Sequence, residues 1–210
     1  MVLKSKLLDA TVCQISQLLE GKSSYKVGQT HEIIGFHTKL NDIHEDDFEA
    51  IADQCDMFKY AFIRHVSKEL ILGKDENRFK TIKENYRYEA YHGMVSSYKL
   101  LVHQLKRNSM IQSKLTRRYT ISFVAWHCFS HINFMFRGDK LIVNVHMRSC
   151  DVYKHLYHDI YLAYYLGSQF KKHAQHDVNS ISMNISIDSL HVYEDDIEKC
   201  RKDMLNYVSQ

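Results

Sequence analysis

The sequence predicts an α+β fold in which helices cover a mixed and largely buried β-sheet. Apolar residues recur at helical spacing in the first half of the chain, whereas the part that follows Arg117 is rich in Val, Ile, Phe and Tyr. The 210 residues are 45% hydrophobic and 25% charged, which supplies a packed core and excludes global disorder. Because the chain has no proline and no Gly/Ser-rich linker, a single domain over residues 1–210 is expected.

In the first half of the chain, apolar residues three and four positions apart predict helices. One helix ends at Leu19, just before Gly21, and one or two more cover residues 46–72, with Phe48 facing the core. A strand is predicted over residues 31–40, and a further helix over residues 94–106.

In the second half, β-branched and aromatic residues predict strands over residues 119–126, 129–136, 141–147 and 180–187. The second and third of these strands are joined by Arg137-Gly138-Asp139-Lys140, which has the Gly and Asp chemistry of a hairpin turn. Helical spacing returns over residues 152–170, and a charged amphipathic helix is predicted over residues 194–208.

Composition also restricts the function. The net charge is only +3, from 28 basic and 25 acidic residues, so direct nucleic-acid binding is not expected. The five cysteines are scattered without a C-x-x-C pair, which argues against a disulfide framework or a metal site and favours a reducing compartment. No segment approaches the roughly 20 apolar residues of a membrane span, and no secretory signal is recognised. A cytoplasmic protein, in the host cytoplasm if it is viral, is therefore expected.

The first candidate for chemistry is Cys128, which lies between two predicted strands. A buried and inert cysteine is the more common account of such a residue. A reactive thiolate needs electropositive surroundings, which the pair Arg117-Arg118 and the more distant Arg148 could supply. Adjacent arginines usually form a solvated patch, but their planar forks also match phosphate oxygens.

Two pairs of polar residues form the second set of candidates. Asp151 and Asp159 are eight residues apart, so on one helix they would share a face and point into one pocket. Taken alone, Asp151 is more simply a residue that stabilises a helix N-terminus. His191 and Tyr193 lie on one side of an extended segment, because side chains alternate along a strand.

Together these residues resemble the thymidylate synthase superfamily. RSCDV at residues 148–152 resembles the signature after the catalytic hairpin, and Cys128 stands twenty residues before it, as the catalytic cysteine does in that family. SLHVY at residues 189–193 resembles the sugar-binding His-x-Tyr motif of the family. The pair at 117–118 looks like the arginines that reach across a dimer to the partner's nucleotide phosphate. Residues 26–35 resemble the strand that follows a phosphate-binding lysine.

Within this superfamily, the sequence is most similar to the phage-type deoxycytidylate (dCMP) hydroxymethylases. The distinguishing residue is Asp159, eleven positions after Arg148, where thymidylate synthase would carry the asparagine that reads uracil. A carboxylate accepts hydrogen bonds from the 4-amino group of cytosine and from a protonated N3, but it repels the lone pairs of uracil O4. The resemblance therefore implies dCMP as substrate.

The resemblance also implies a fold, a mechanism and a set of contacts. The fold would be thymidylate synthase-like, in a homodimer packed through the sheets. The Cys128 thiolate would add to C6 of the pyrimidine, so that C5 attacks the methylene group of the co-substrate 5,10-methylenetetrahydrofolate. Water would then give a 5-hydroxymethyl product, and hydride would give a methyl product. A carboxylate would activate that water; it is assigned to Asp56, with Glu49 and Asp53 as rivals.

The implied binding residues fall into three groups. The nucleotide phosphate would be held by Lys26 and Arg148 in one subunit and by Arg117 and Arg118 of the partner copy, and Ser149 would be a further substrate-binding residue. His191 and Tyr193 would form hydrogen bonds with the 3'-hydroxyl of the sugar. Asp151 and Trp126 would contact the folate.

Two other functions stay open at this point. One is a thymidylate synthase or dUMP hydroxymethylase, which Asp159 disfavours. The other is a catalytically silent homologue that binds nucleotide or has a structural role. A short loop before Cys128 and the lack of a clear catalytic glutamate suggest this second alternative.

Overall fold

The computed structural model describes residues 15–20, 25–52, 88–109, 119–123, 128–173 and 178–208. Over these ranges the protein is a mixed α+β structure, as the sequence predicts. The strands are β1 (Tyr25–Val27), β2 (Thr30–Ile43), β3 (Tyr119–Ser122), β4 (Phe129–Arg137), β5 (Lys140–Asp151) and β6 (Ser180–Tyr193). The helices are α1 (Glu45–Ala52), α2 (Tyr88–Ser109), α3 (Leu156–His173) and α4 (Ile197–Val208), and residues 15–19 are also helical.

The described strands form one six-stranded sheet in the order β1-β2-β6-β5-β4-β3. Neighbouring strands are antiparallel except for β5 and β6, which are parallel. Parallel neighbours need a long crossover connection, and α3 provides it. The predicted hairpin is confirmed, because Arg137 pairs with Lys140 and Gly138 has a φ of 58° in the turn.

The predicted elements are confirmed where they are described, but several bounds were wrong. Strands β5 and β6 run on to Asp151 and Tyr193, because backbone pairing continues after the inward–outward alternation fails. The helix predicted from residue 152 begins only at Leu156, since residues 152–155 form turns. The predictions for residues 1–14 and 53–72 lie outside the described residues.

One face of the sheet carries the core. Helix α3 lies on it with every residue from Leu156 to Gly167 buried. A β-carbon added to Gly167 would lie 2.8 Å from Cγ2 of Val143, so the helix approaches β5 closely. Phe48 is fully buried, as predicted, and its ring centroid lies 5.1 Å from that of Tyr161.

On the opposite face, the described side chains are half-buried or exposed except for Ser182, so the prediction of a largely buried sheet is correct for one face only. This open face carries a row of asparagines across three strands. Asn184 donates a hydrogen bond to Oδ1 of Asn144 at 2.7 Å, and Asn144 donates to Oδ1 of Asn133 at 3.3 Å. Such cross-strand pairs stabilise a sheet without apolar burial.

The regular alternation of side chains breaks at one line across the sheet. In β5 and β6 the core-facing residues are two apart up to Met147 and Ile187, and the next ones, Cys150 and Leu190, come after three. In β2 the corresponding gap falls at Gly35, whose φ of 73° is one that glycine adopts readily. We call the line through Gly35, Arg148 and Asp188 the alternation break. Beyond it, residues that would otherwise face the open side turn towards α3.

Candidate active site

Polar residues collect at the end of the sheet beyond the alternation break, which we call the site end. It consists of residues 148–151 of β5 and residues 188–193 of β6. The parallel register places Ser149 beside Ser189 and Asp151 beside His191. Predicted site residues from two motifs about forty positions apart are therefore neighbours.

Cys128 lies at this end, in a bend immediately before β4. The amide of Arg148 donates a 2.8 Å hydrogen bond to its carbonyl oxygen, so the two residues face each other across the strand pair. The Cys128 side chain is half-buried, which contradicts the account of a fully buried, inert residue. The side chain of Arg148 is exposed.

The other two described cysteines are buried and unsuited to nucleophilic attack. Burial raises the pKa of the Cys150 thiol well above its usual value, and the negative charge of Asp159 raises it further. Cys150 therefore stays a neutral thiol. Among the described cysteines, which also include the buried Cys200, only Cys128 combines a position in the site with exposure to a substrate.

Asp159 lies in the first turn of α3 and is buried, with 4% of its surface exposed. Its Oδ1 lies 3.3 Å from Nδ1 of His158, and its Oδ2 accepts a hydrogen bond from Sγ of Cys150 at 3.9 Å. The prediction that Asp151 and Asp159 share one helix was wrong, because Asp151 is the last residue of β5. Cys150, the penultimate residue of β5, still links the two segments, because its Sγ lies 3.9 Å from Oδ2 of Asp159 and 3.8 Å from the backbone carbonyl oxygen of Asp151.

Asp151 has a structural role in the turn that leads to α3. Its Oδ1 accepts hydrogen bonds from the backbone amides of Tyr153 at 2.9 Å and Lys154 at 3.2 Å. This is the amide-binding role that the helix-terminus interpretation predicts. The contact of Asp151 with a folate stays a prediction.

His191 and Tyr193 lie on the same side of β6, as predicted. Their rings meet edge to face with centroids 5.6 Å apart, and Tyr193 is 41% exposed. The ammonium of Lys154 lies 5.0 Å from the Tyr193 ring centroid and 2.6 Å from Oδ2 of Asp196. A cation and two hydrogen-bonding rings therefore border the outer part of the site end.

Sequence reasoning missed two polar neighbours of the site. Glu32 of β2 accepts a hydrogen bond from the hydroxyl of Ser189. His158 contacts Asp159, as described above. Glu32 lies within residues 26–35, the segment that resembles the strand after a phosphate-binding lysine. This resemblance could have identified Glu32 as a site residue. His158 had none, because consecutive residues on a helix do not normally face each other.

The remaining predicted residues are only partly described. Lys26 pairs with His31 through its backbone in β1, and its side chain lies outside the described residues. Glu49 is exposed on α1. The following candidates lie outside the described residues altogether: Asp53, Asp56, Arg117, Arg118 and Trp126.

No family model matches the chain, and no curated protein matches it. Over the described ranges, no group of three or more His, Cys, Asp or Glu side chains could hold a metal ion. None of the described helices combines the length and apolar character needed to cross a bilayer.

Proposed function

We propose that this protein is a folate-dependent dCMP hydroxymethylase of the thymidylate synthase superfamily. The observation that carries the proposal is the convergence at the site end. A half-buried Cys128 in the bend before β4 is paired through its backbone with the exposed Arg148 of β5, and the buried Asp159 of α3 reaches the same strand through its contact with Cys150. These are the nucleophile, the phosphate ligand and the base-reading carboxylate that the sequence motifs imply.

In this function, Cys128 attacks C6 of the pyrimidine ring and makes C5 a carbon nucleophile. 5,10-Methylenetetrahydrofolate supplies the one-carbon unit, and water completes the hydroxymethyl group. Arg148, exposed at the mouth of the site, binds the nucleotide phosphate through charge-assisted hydrogen bonds. His191 and Tyr193 bind the 3'-hydroxyl of the sugar from the neighbouring strand.

Asp159 selects the base. Its carboxylate accepts hydrogen bonds from the 4-amino group and the protonated N3 of cytosine, whereas uracil offers O4 as a second acceptor. Burial strengthens this discrimination, because an unpaired acceptor facing a carboxylate in a dry site costs more than it does in water.

We also propose that a homodimer forms through the open face of the sheet. Apart from the buried Ser182, the described side chains of that face are half-buried or exposed in a single chain, and they include the asparagine row and apolar residues such as Ile142. Sedimentation of the wild-type protein should give twice the monomer mass. Asn144→Arg places a charge in the row and should give a folded monomer, and an unchanged dimer would contradict this interface.

The test of the enzymatic proposal is tritium release from C5. The protein is incubated with 5-tritiated dCMP or dUMP, with and without methylenetetrahydrofolate, and the product mass is measured. Folate-dependent release from dCMP, with a product heavier by one hydroxymethyl group, is expected. Release only from dUMP would favour the uracil branch, and no release from either nucleotide would favour a silent homologue.

A further inference from the structure

His158 carries an inference that deepens the proposed function and rests on it. The residue is buried, with 3% of its surface exposed, and its Nδ1 lies 3.3 Å from Oδ1 of Asp159. Consecutive residues on a helix point about 100° apart. Contact between these two side chains therefore requires that both turn towards each other.

The surroundings of Asp159 explain why such a contact matters. A buried carboxylate must be hydrogen-bonded or paired, because burial without partners costs several kcal/mol. Among the described residues, two side chains reach it: His158 at Oδ1 and Cys150 at Oδ2. The thiol is a weak donor at 3.9 Å, so the imidazole is the stronger of the two constraints.

We propose that His158 is a positioning residue that orients the Asp159 carboxylate and holds it as an acceptor for cytosine. An Nδ1–H group directed at Oδ1 fixes the plane of the carboxylate and leaves its other lone pairs directed at the base. Cytosine, protonated at N3, offers two donors to such an acceptor. Uracil offers one donor and one acceptor, so it gains little from the same orientation.

Three substitutions of His158 distinguish a directed hydrogen bond from simple packing. His158→Asn keeps an amide nitrogen near the position of Nδ1, and His158→Gln places its amide nearer the position of Nε2. His158→Phe keeps the ring volume and removes the donor. His103, exposed on α2, gives the matched control His103→Phe.

The experiment measures dCMP and dUMP dissociation constants by calorimetry for each folded variant, with thermal unfolding as the check on folding. His158→Phe and His158→Gln should weaken dCMP binding about 10-fold and change dUMP binding less than about twofold. His158→Asn should restore most of the dCMP affinity, and His103→Phe should match the wild type.

The same substitution is then made in the Asp159→Asn background. If His158 acts through the carboxylate, His158→Phe should cause no further loss of dCMP affinity there. Equal losses for both nucleotides, or the same loss in both backgrounds, would show that His158 only packs the helix.

The positioning role of His158 and the proposed function can be refuted separately. If the wild-type protein prefers dCMP and His158→Phe leaves that preference unchanged, the positioning role is wrong and the proposed function stands. If the wild-type protein binds neither nucleotide, both are wrong.

Discussion

Strands β5 and β6 have different characters on the two sides of the alternation break. In the regular half, residues 140–147 and 180–187, every second side chain is apolar and faces α3, and the side chains between them, polar except for Ile142, face the open side. At the site end, the buried positions include Asp151 and Cys150, and the helix above them contributes Asp159. A sheet end that buries polar groups gives up hydrophobic stabilisation, so the difference distinguishes the candidate site from the rest of the sheet.

The predictions below test this division, and the largest effect is expected at Cys128. Cys128→Ala should reduce tritium release from dCMP by about 10³-fold or more, because no other cysteine in the described part of the chain is exposed to form the C6 adduct. Calorimetry should show that dCMP still binds, since the phosphate contacts are separate. The control Cys200→Ala removes a buried cysteine of α4 and should keep turnover. If Cys128→Ala lost both dCMP binding and the fold, the role of Cys128 would be structural.

The next effect concerns base choice. Asp159→Asn should change the preference from dCMP towards dUMP by about 10- to 100-fold, because an amide can both donate to O4 and accept from N3–H. Binding of the two nucleotides measured in parallel checks this. Asp139→Asn, at the exposed aspartate of the hairpin turn at the other end of β5, is the matched control. An unchanged dCMP/dUMP ratio in Asp159→Asn would remove the basis for the cytosine assignment.

In the regular half, a substitution should affect stability and spare the chemistry. Gly167→Ala brings a β-carbon within 2.8 Å of Val143, which should lower the free energy of unfolding by about 1–3 kcal/mol. Ser168→Ala, one position further along α3, should change it by less than about 0.5 kcal/mol. Urea unfolding measures both values. If Gly167→Ala lost turnover without losing stability, the division between the two halves would be wrong.

The smallest effect is expected at the alternation break itself. Gly35→Ala should lower the free energy of unfolding by about 1 kcal/mol. Because there is open space around the added β-carbon, this loss arises from the backbone alone, at a φ of 73°. Gly35→Asn should cost less, because asparagine tolerates this conformation better. Both unfolding and tritium release should be measured. Equal stabilities for the two variants would show that the backbone conformation at residue 35 is not what the break requires.

Much of the architecture could be predicted from local patterns. The 2-residue and 3.6-residue periods located the strands and helices, and Gly138 and Asp139 located the hairpin. The ends of β5 and β6 were missed because the alternation break changes which residues face the core. In the sequence, the loss of the two-residue period resembles the end of a strand. The start of α3 was missed because Asp151 binds amides in a turn before the helix begins.

The candidate site divides in the same way. The sequence by itself determined the residue types and spacings: Cys128 with Arg148, Asp159 after them, and the pair His191 and Tyr193. Spacing alone could not say that Asp151 and His191 are neighbours, because that depends on the parallel register of β5 and β6. Only the tertiary structure decided that Cys150 is a buried thiol and that His158 turns towards Asp159. The physical reason is that burial and side-chain direction are set by elements distant in the chain, whereas periodicity reports only on near neighbours.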